Sequence, residues 1–160
     1  MNDPSTTQDK VEPIFELNQF FPYQLSNLDS AVSQSMSQLY HGRFKLNRQE
    51  WRILVVLGAN PPMSAKAIAS TCKLEKMPVS RGISRLTDTG LIQRQEDSQD
   101  RRYSRLSLTD EGRSIYKKLV PLILAREAFI LSALSSEEQQ QLQDLMTKVR
   151  QKAEELQLCG

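Results

Sequence analysis

Arg101 and Arg102 stand side by side in "EDSQDRRYSRLSLT", residues 96–109, directly after Asp97, Ser98, Gln99 and Asp100. The Asp/Ser/Gln run reads as a turn, and Leu106 and Leu108 alternate with Arg105 and Ser107 as in a half-buried strand. Two guanidiniums at a hairpin tip carry more donors than their own chain can satisfy. The chemistry left to them is pairing with external anions, phosphate above all. Asp100 is placed to brace one guanidinium and aim the other outward. A second set lies upstream in "KLEKMPVSRGISRLTDTG": Lys76, Ser80, Arg81, Ser84 and Arg85 share one side of a helix whose other side is Val79, Ile83 and Leu86. Arginine can pair bidentately with a guanine edge. Serine can reach a base edge or a phosphate without holding the helix away.

The charge distribution agrees. The chain has 21 basic and 19 acidic residues, net +2 over 160 residues. Residues 73–105 alone carry Lys73, Lys76, Arg81, Arg85, Arg94, Arg101, Arg102 and Arg105 against Glu75, Asp88, Glu96, Asp97 and Asp100. That segment exceeds the whole chain's net charge, so the rest is slightly negative. Positive charge is local, as a surface facing a polyanion requires.

These residues need a scaffold. Residues 1–21 read as a flexible arm, with Pro4, Pro13 and few apolar groups. A long helix is predicted from Pro22, with a stripe of Leu25, Leu28, Val32, Met36 and Leu39 and Gly42 as its stop. Asn47 with Glu50 forms a capping box for a second helix that buries Ile53, Leu54 and Leu57 and ends at Pro61–Pro62. Ser64 caps a third, with Ala65, Ile68 and Ala69 inward. A two-residue step leads to the fourth, with Pro78 in its first turn and Gly90 as its stop. "LIQRQE" and "YSRLSLT" then form a two-stranded hairpin. Thr109 caps a helix that Pro121 should kink, and Ser135 with Glu138 caps a last one bearing Leu142, Leu145, Met146, Val149 and Leu156. The fold class expected is mainly α with a small β-hairpin wing. It is a winged helix-turn-helix over 47–109, flanked by dimerisation helices at 22–46 and 110–160.

With that order in place the chain resembles the MarR-type winged-helix regulators. "DRRYSRLSLTDEG" is similar to that family's wing signature, "LEKMPVSRGISRLTDTGLIQR" to its recognition helix and first wing strand, and "LNRQEWRILVVL" to its second helix. The resemblance implies that Arg102 enters a minor groove with Asp100 in support, and that Lys76, Pro78, Ser80, Arg81 and Arg85 contact bases and phosphates. It further implies a homodimer that represses by blocking a promoter and is released by a small ligand. "FPYQLSNLDSAVSQSMSQLY" followed by "LNRQEWRIL" is similar to a branch answering to aromatic acids from plant matter, including hydroxycinnamates and their coenzyme A thioesters.

The residues themselves also ask for a second copy, because one winged helix cannot cover the apolar stripes of the first and last helices. Two-fold symmetry would set the operator as an inverted repeat in double-stranded DNA. For an effector, Asn27, Ser30, Gln34, Ser37 and His41 run beside the first stripe, and Arg48, Trp51 and Arg52 open the second helix. An indole between two arginines can stack an aromatic acid and pair with its carboxylate. The effector residues expected are Asn27, Ser30, His41, Arg48, Trp51 and Arg52.

Other classes find little. With one histidine there is no Ser/His/Asp cluster, the six glycines make no phosphate loop, and two cysteines cannot build a zinc site. No enzyme activity, metal or cofactor is expected. Two rivals remain: a thiol sensor using Cys72 or Cys159, and a winged helix used only for protein docking. No leader pattern and no run of about 18 apolar residues is visible, so a cytoplasmic protein without membrane partner is expected.

Overall fold

The structure, a computed structural model, describes residues 14–96 and 104–159. The chain divides into two units at Ser33/Gln34.

The first unit holds a 3-10 turn, Leu17–Gln19, and the start of α1 (Phe21–Phe44). Pro22 sits in the first turn of α1, where its missing N–H costs nothing. The Phe15 and Phe20 rings meet edge-on at 5.2 Å, and Gln24 Nε2 donates to the Asn18 carbonyl at 3.0 Å. Leu25 and Leu28 are exposed.

The second unit carries the remaining elements: the end of α1, then α2 (Arg48–Ala59), α3 (Ala65–Cys72), α4 (Lys76–Asp88), β1 (Ile92–Glu96), β2 (Ser104–Leu108), α5 (Asp110–Leu131) and α6 (Ser136–Cys159). The mainly α fold with a small hairpin is thus present. Gly42 does not stop α1. The helix runs two residues on to Phe44, and Lys45 takes the left-handed conformation at φ 58°. The Lys45 and Leu46 N–H groups then satisfy the His41 and Tyr40 carbonyls.

Local chemistry sets the other boundaries. Asn47 Oδ1 accepts from the Gln49 and Glu50 N–H groups, both at 2.9 Å, and Glu50 accepts the Asn47 N–H at 2.8 Å. Ser64 Oγ caps α3 by accepting from Ala67 N. α3 stops on Lys73, left-handed at φ 52°, where Lys73 N and Leu74 N close back on the Ser70 and Ala69 carbonyls. The corner to α4 is three residues, 73–75, rather than two, because Lys73 and Leu74 complete that closure before Glu75 starts the next helix. Ala65 is exposed rather than inward: at the first helical position it lies outside the stripe of Ile68 and Cys72. α4 ends at Asp88 with Thr89 as its cap, and Gly90 follows at φ 72°, where glycine carries no Cβ penalty.

β1 and β2 pair antiparallel with Ile92 opposite Leu108 and Arg94 opposite Leu106. The hairpin has a further edge: Met63 exchanges both backbone hydrogen bonds with Leu106, at 2.8 and 3.0 Å. Arg105 Nη1 donates to the Pro62 carbonyl beside it. α5 is helical through Pro121, whose imino nitrogen has no proton to give the preceding turn.

The core gathers Ile53, Leu54 and Leu57 of α2, Ile68 of α3, Val79, Ile83 and Leu86 of α4, Ile92 and Leu106 of the hairpin, and Leu119 of α5. Each such side chain contributes about 1.5–3 kcal/mol by leaving water. One joint ties three elements together. Leu91 N bonds the Leu86 carbonyl, Thr109 N bonds the Leu91 carbonyl, and Thr109 Oγ1 donates to the Gly90 carbonyl at 2.6 Å. A Cβ on Gly112 would stand 1.9 Å from the Leu91 oxygen, so only glycine lets α5 start against the root of β1.

Candidate functional site

α4 is amphipathic in the sense its sequence predicts. Val79, Gly82, Ile83 and Leu86 are buried, while Lys76, Ser80, Arg81, Ser84 and Arg85 are exposed and Pro78 is half-buried between them. Gly82 fixes the depth of the helix, since a Cβ there would meet Ile53 Cδ1 at 2.7 Å. α4 therefore lies hard on α2 and turns its polar face outward.

Behind that face is a pocket of about 370 Å³ lined by Asn47, Gln49, Glu50, Pro78, Arg81, Gly82 and Arg85. Glu50 is only 1% exposed. Its carboxylate accepts the Asn47 N–H and side-chain amide, both at 2.8 Å, and pairs with Arg85 Nε at 3.2 Å. The Arg85 side chain stays 62% exposed. The sequence marks Glu50 as a cap residue, but nothing local in it shows that the carboxylate is buried against an arginine 35 positions on.

On the other flank of α4, Lys66, Lys76 and Arg94 surround a floor of Ala65, Ala69, Val79 and Ile83 in a groove of about 490 Å³. Lys66 escapes the sequence analysis, and only the register of β1 beside α4 brings Arg94 to the same groove. Asp100, Arg101 and Arg102, the expected wing tip, lie outside the described residues.

The expected effector residues are divided. His41 and Arg48 come together in a groove of about 630 Å³ with Ser37, Gln38, Tyr40, Gly42 and Asn47. Trp51 and Arg52 do not line it. The Trp51 ring stacks on Tyr40 at 5.6 Å, and its buried Nε1 has no acceptor among the described residues. Arg52 is half-buried, and its charge acts on Cys72. Asn27 and Ser30 belong to the first unit, exposed on α1. Trp51 nonetheless adjoins that groove through Tyr40, which lines it. Burial pushes the Cys72 thiol above its ordinary value, only partly offset by the Arg52 guanidinium. A buried thiol with raised pKa is a poor nucleophile, which weighs against Cys72 as an oxidant sensor.

Among the described residues no group of three His, Cys, Asp or Glu side chains could hold a metal ion. No single described helix is long and apolar enough to cross a membrane.

Residues 44–102 match the model of the MarR family. An HTH-type transcriptional regulator of Bacillus cereus ATCC 10987 is 30% identical over 127 residues, covering 79% of this chain and 84% of the relative. The crystal structure of the PcaV transcriptional regulator of Streptomyces coelicolor with its natural ligand superposes with a TM-score of 0.77 at 24% identity, over 88% of this chain and 99% of that one. The transcriptional repressor CouR bound to a 23-mer DNA duplex gives 0.76 at 23% identity, over 86% and 97%. At those identities the two structures speak for the fold.

Proposed function

The chain belongs to the MarR family of HTH-type transcriptional regulators, and we propose that it is a cytoplasmic repressor. It binds an inverted-repeat operator as a homodimer and leaves it when a small aromatic acid or its coenzyme A thioester binds, so controlling aromatic-compound catabolism. The observation that carries the DNA reading is α4: one face locked into the core, the other presenting Lys76, Ser80, Arg81, Ser84 and Arg85 to solvent. In this reading residues 47–109 grip DNA, with Pro78 beside the contact face. Arg102 enters the minor groove, with Arg101 beside it and Asp100 bracing them. Residues 22–46 and 110–160 join the two copies. Support for the dimer comes from α6, which leaves Leu145, Met146, Val149 and Leu156 exposed in a single chain.

The effector half rests on the groove with His41 and Arg48, where a cation faces half-buried polar groups, and on the PcaV likeness, a fold that holds a ligand in that protein. Asn27, Ser30, Trp51 and Arg52 complete the proposed effector set. Tenfold release requires about 1.4 kcal/mol of differential affinity between DNA-fitting and unfitting states.

The test is binding to the duplex upstream of the protein's own gene across a salt series. A regulator shows steep loss of affinity with salt. No shift of any duplex at low salt overturns the reading in favour of a protein-docking winged helix. A thermal-shift screen of aromatic acids and thioesters, paired with DNA release, tests the effector. If no compound both binds and releases DNA, that half is wrong.

A further inference from the structure

The geometry points to Glu50 as a positioning residue that presets Arg85 for reading DNA, so that sequence selectivity is set partly by a helix outside the groove. This rests on the proposed DNA-binding function and adds to it a determinant of specificity.

A carboxylate almost wholly removed from water is costly unless its oxygens are matched by donors. Here they are: Oε2 accepts the Asn47 N–H, Oε1 accepts from the Asn47 amide, and Arg85 Nε stands 3.2 Å from Oε1 as its ion-pair partner. Because the capping box already anchors the glutamate, its position is fixed before the arginine arrives. Arg85 is the variable partner, with most of its side chain in solvent. Engaging Nε holds the long side chain to one course and leaves the two terminal nitrogens at the exposed end. Those nitrogens form the planar fork that a guanine edge or a phosphate accepts.

The separation of α2 and α4 makes the contact possible. Gly82, one helical turn before Arg85, lets α4 sit against Ile53, one turn after Glu50. Pro78, Arg81, Gly82 and Arg85 then share the face that closes the pocket over the Glu50 carboxylate. An unrestrained arginine would lose rotamer freedom on meeting DNA. A held one has lost it already, and its fork is offered in one geometry, which penalises the wrong base.

The role has a signature distinct from simple attraction. Glu50 is negative and close to the DNA-facing surface, so removing its charge should strengthen non-specific binding while weakening discrimination. The experiment compares wild type, Glu50→Gln, Arg85→Lys and Arg85→Ala, alone and with Glu50→Gln. Each is measured against the duplex upstream of its own gene and a scrambled duplex of equal length and composition. Glu50→Gln keeps an oxygen for the Asn47 N–H and so keeps the cap. Its ratio of operator to scrambled affinity should fall about tenfold, with scrambled affinity unchanged or higher. In the Arg85→Ala background Glu50→Gln should not change the ratio further. Arg85→Lys keeps the charge but lacks the second nitrogen needed to be held and to read at once, and should lose the ratio too.

An unchanged ratio in folded Glu50→Gln overturns the inference, as does an equal drop with and without Arg85, which would mark a structural role. Should Glu50→Gln not fold, Glu50→Asp, which keeps the charge and shortens its reach to Arg85, decides: a ratio like wild type overturns the inference, and a ratio lowered only where Arg85 is present supports it. A wild type that prefers no duplex overturns the DNA reading and this inference with it, whereas a selective wild type beside an equally selective Glu50→Gln overturns the inference alone.

Discussion

α4 and α6 are both amphipathic helices of one folded unit, and they are completed in opposite ways. α4 buries Val79, Gly82, Ile83 and Leu86 within its own chain and shows solvent a polar, cationic face. α6 buries none of its described side chains, and its apolar stripe stands in water, Leu145 at 58% and Leu156 at 73% exposure. The inner face of the first helix is covered by its own chain, with Met77 alone among its large apolar side chains left exposed. The second has its capping groups in place and lacks apolar cover. The difference separates what folding of one chain settles from what association has to settle.

The sharpest way to break that contrast is to damage the self-sufficient side. Gly112→Ala would force a Cβ into the Leu91 carbonyl, backbone against backbone, so chemical denaturation should show a loss of about 3 kcal/mol or no cooperative transition. A variant as stable as wild type would mean that the packing at this joint is softer than it looks. Next comes the other side. Leu145→Asp with Val149→Asp touches nothing buried in one chain, so the fold should survive while size-exclusion and sedimentation show dimer becoming monomer. An unaltered dimer would place the covering surface elsewhere.

The cationic face should respond more narrowly. Arg81→Ala should cost roughly 1–3 kcal/mol at one base pair if its contact is bidentate, whereas Arg102→Ala should weaken all duplexes alike. The smallest effect concerns the start of α6. The Ser135 N–H and hydroxyl hold the Glu138 carboxyl below the usual carboxylate range. A carboxyl lowered on folding contributes stability above its ordinary value, and that contribution is lost as pH falls through the lowered one. The protection of the Glu138 and Gln139 amides, taken relative to their intrinsic exchange rate at each pH, should therefore fall below about pH 4.3, the ordinary glutamate value, and Glu138→Gln should flatten that dependence.

How much of this the sequence discloses depends on range. Both capping boxes, Asn47/Glu50 and Ser135/Glu138, form as expected, because donor and acceptor lie within one turn. The two faces of α4 follow from a 3.6-residue period. Helix stops were harder: Lys45 and Lys73 end helices in a conformation usually given to glycine, while Gly42 ends nothing. Contacts between distant positions left no local trace at all. The Met63 bridge to Leu106, the stacking of Trp51 on Tyr40 and the pairing of Glu50 with Arg85 exist only once α2, α4 and the hairpin have met. That is why the polar face was visible in the letters, and the groups that aim it were not.

The joint of Gly90, Leu91, Thr109 and Gly112 has a mechanical meaning. The end of α4, the root of the hairpin and the first turn of α5 are riveted at one point, with no slack for a side chain to take up. A tilt of α5 would bear first on the end of α4 and the root of the hairpin, as motion at one end of a crank bears on the other.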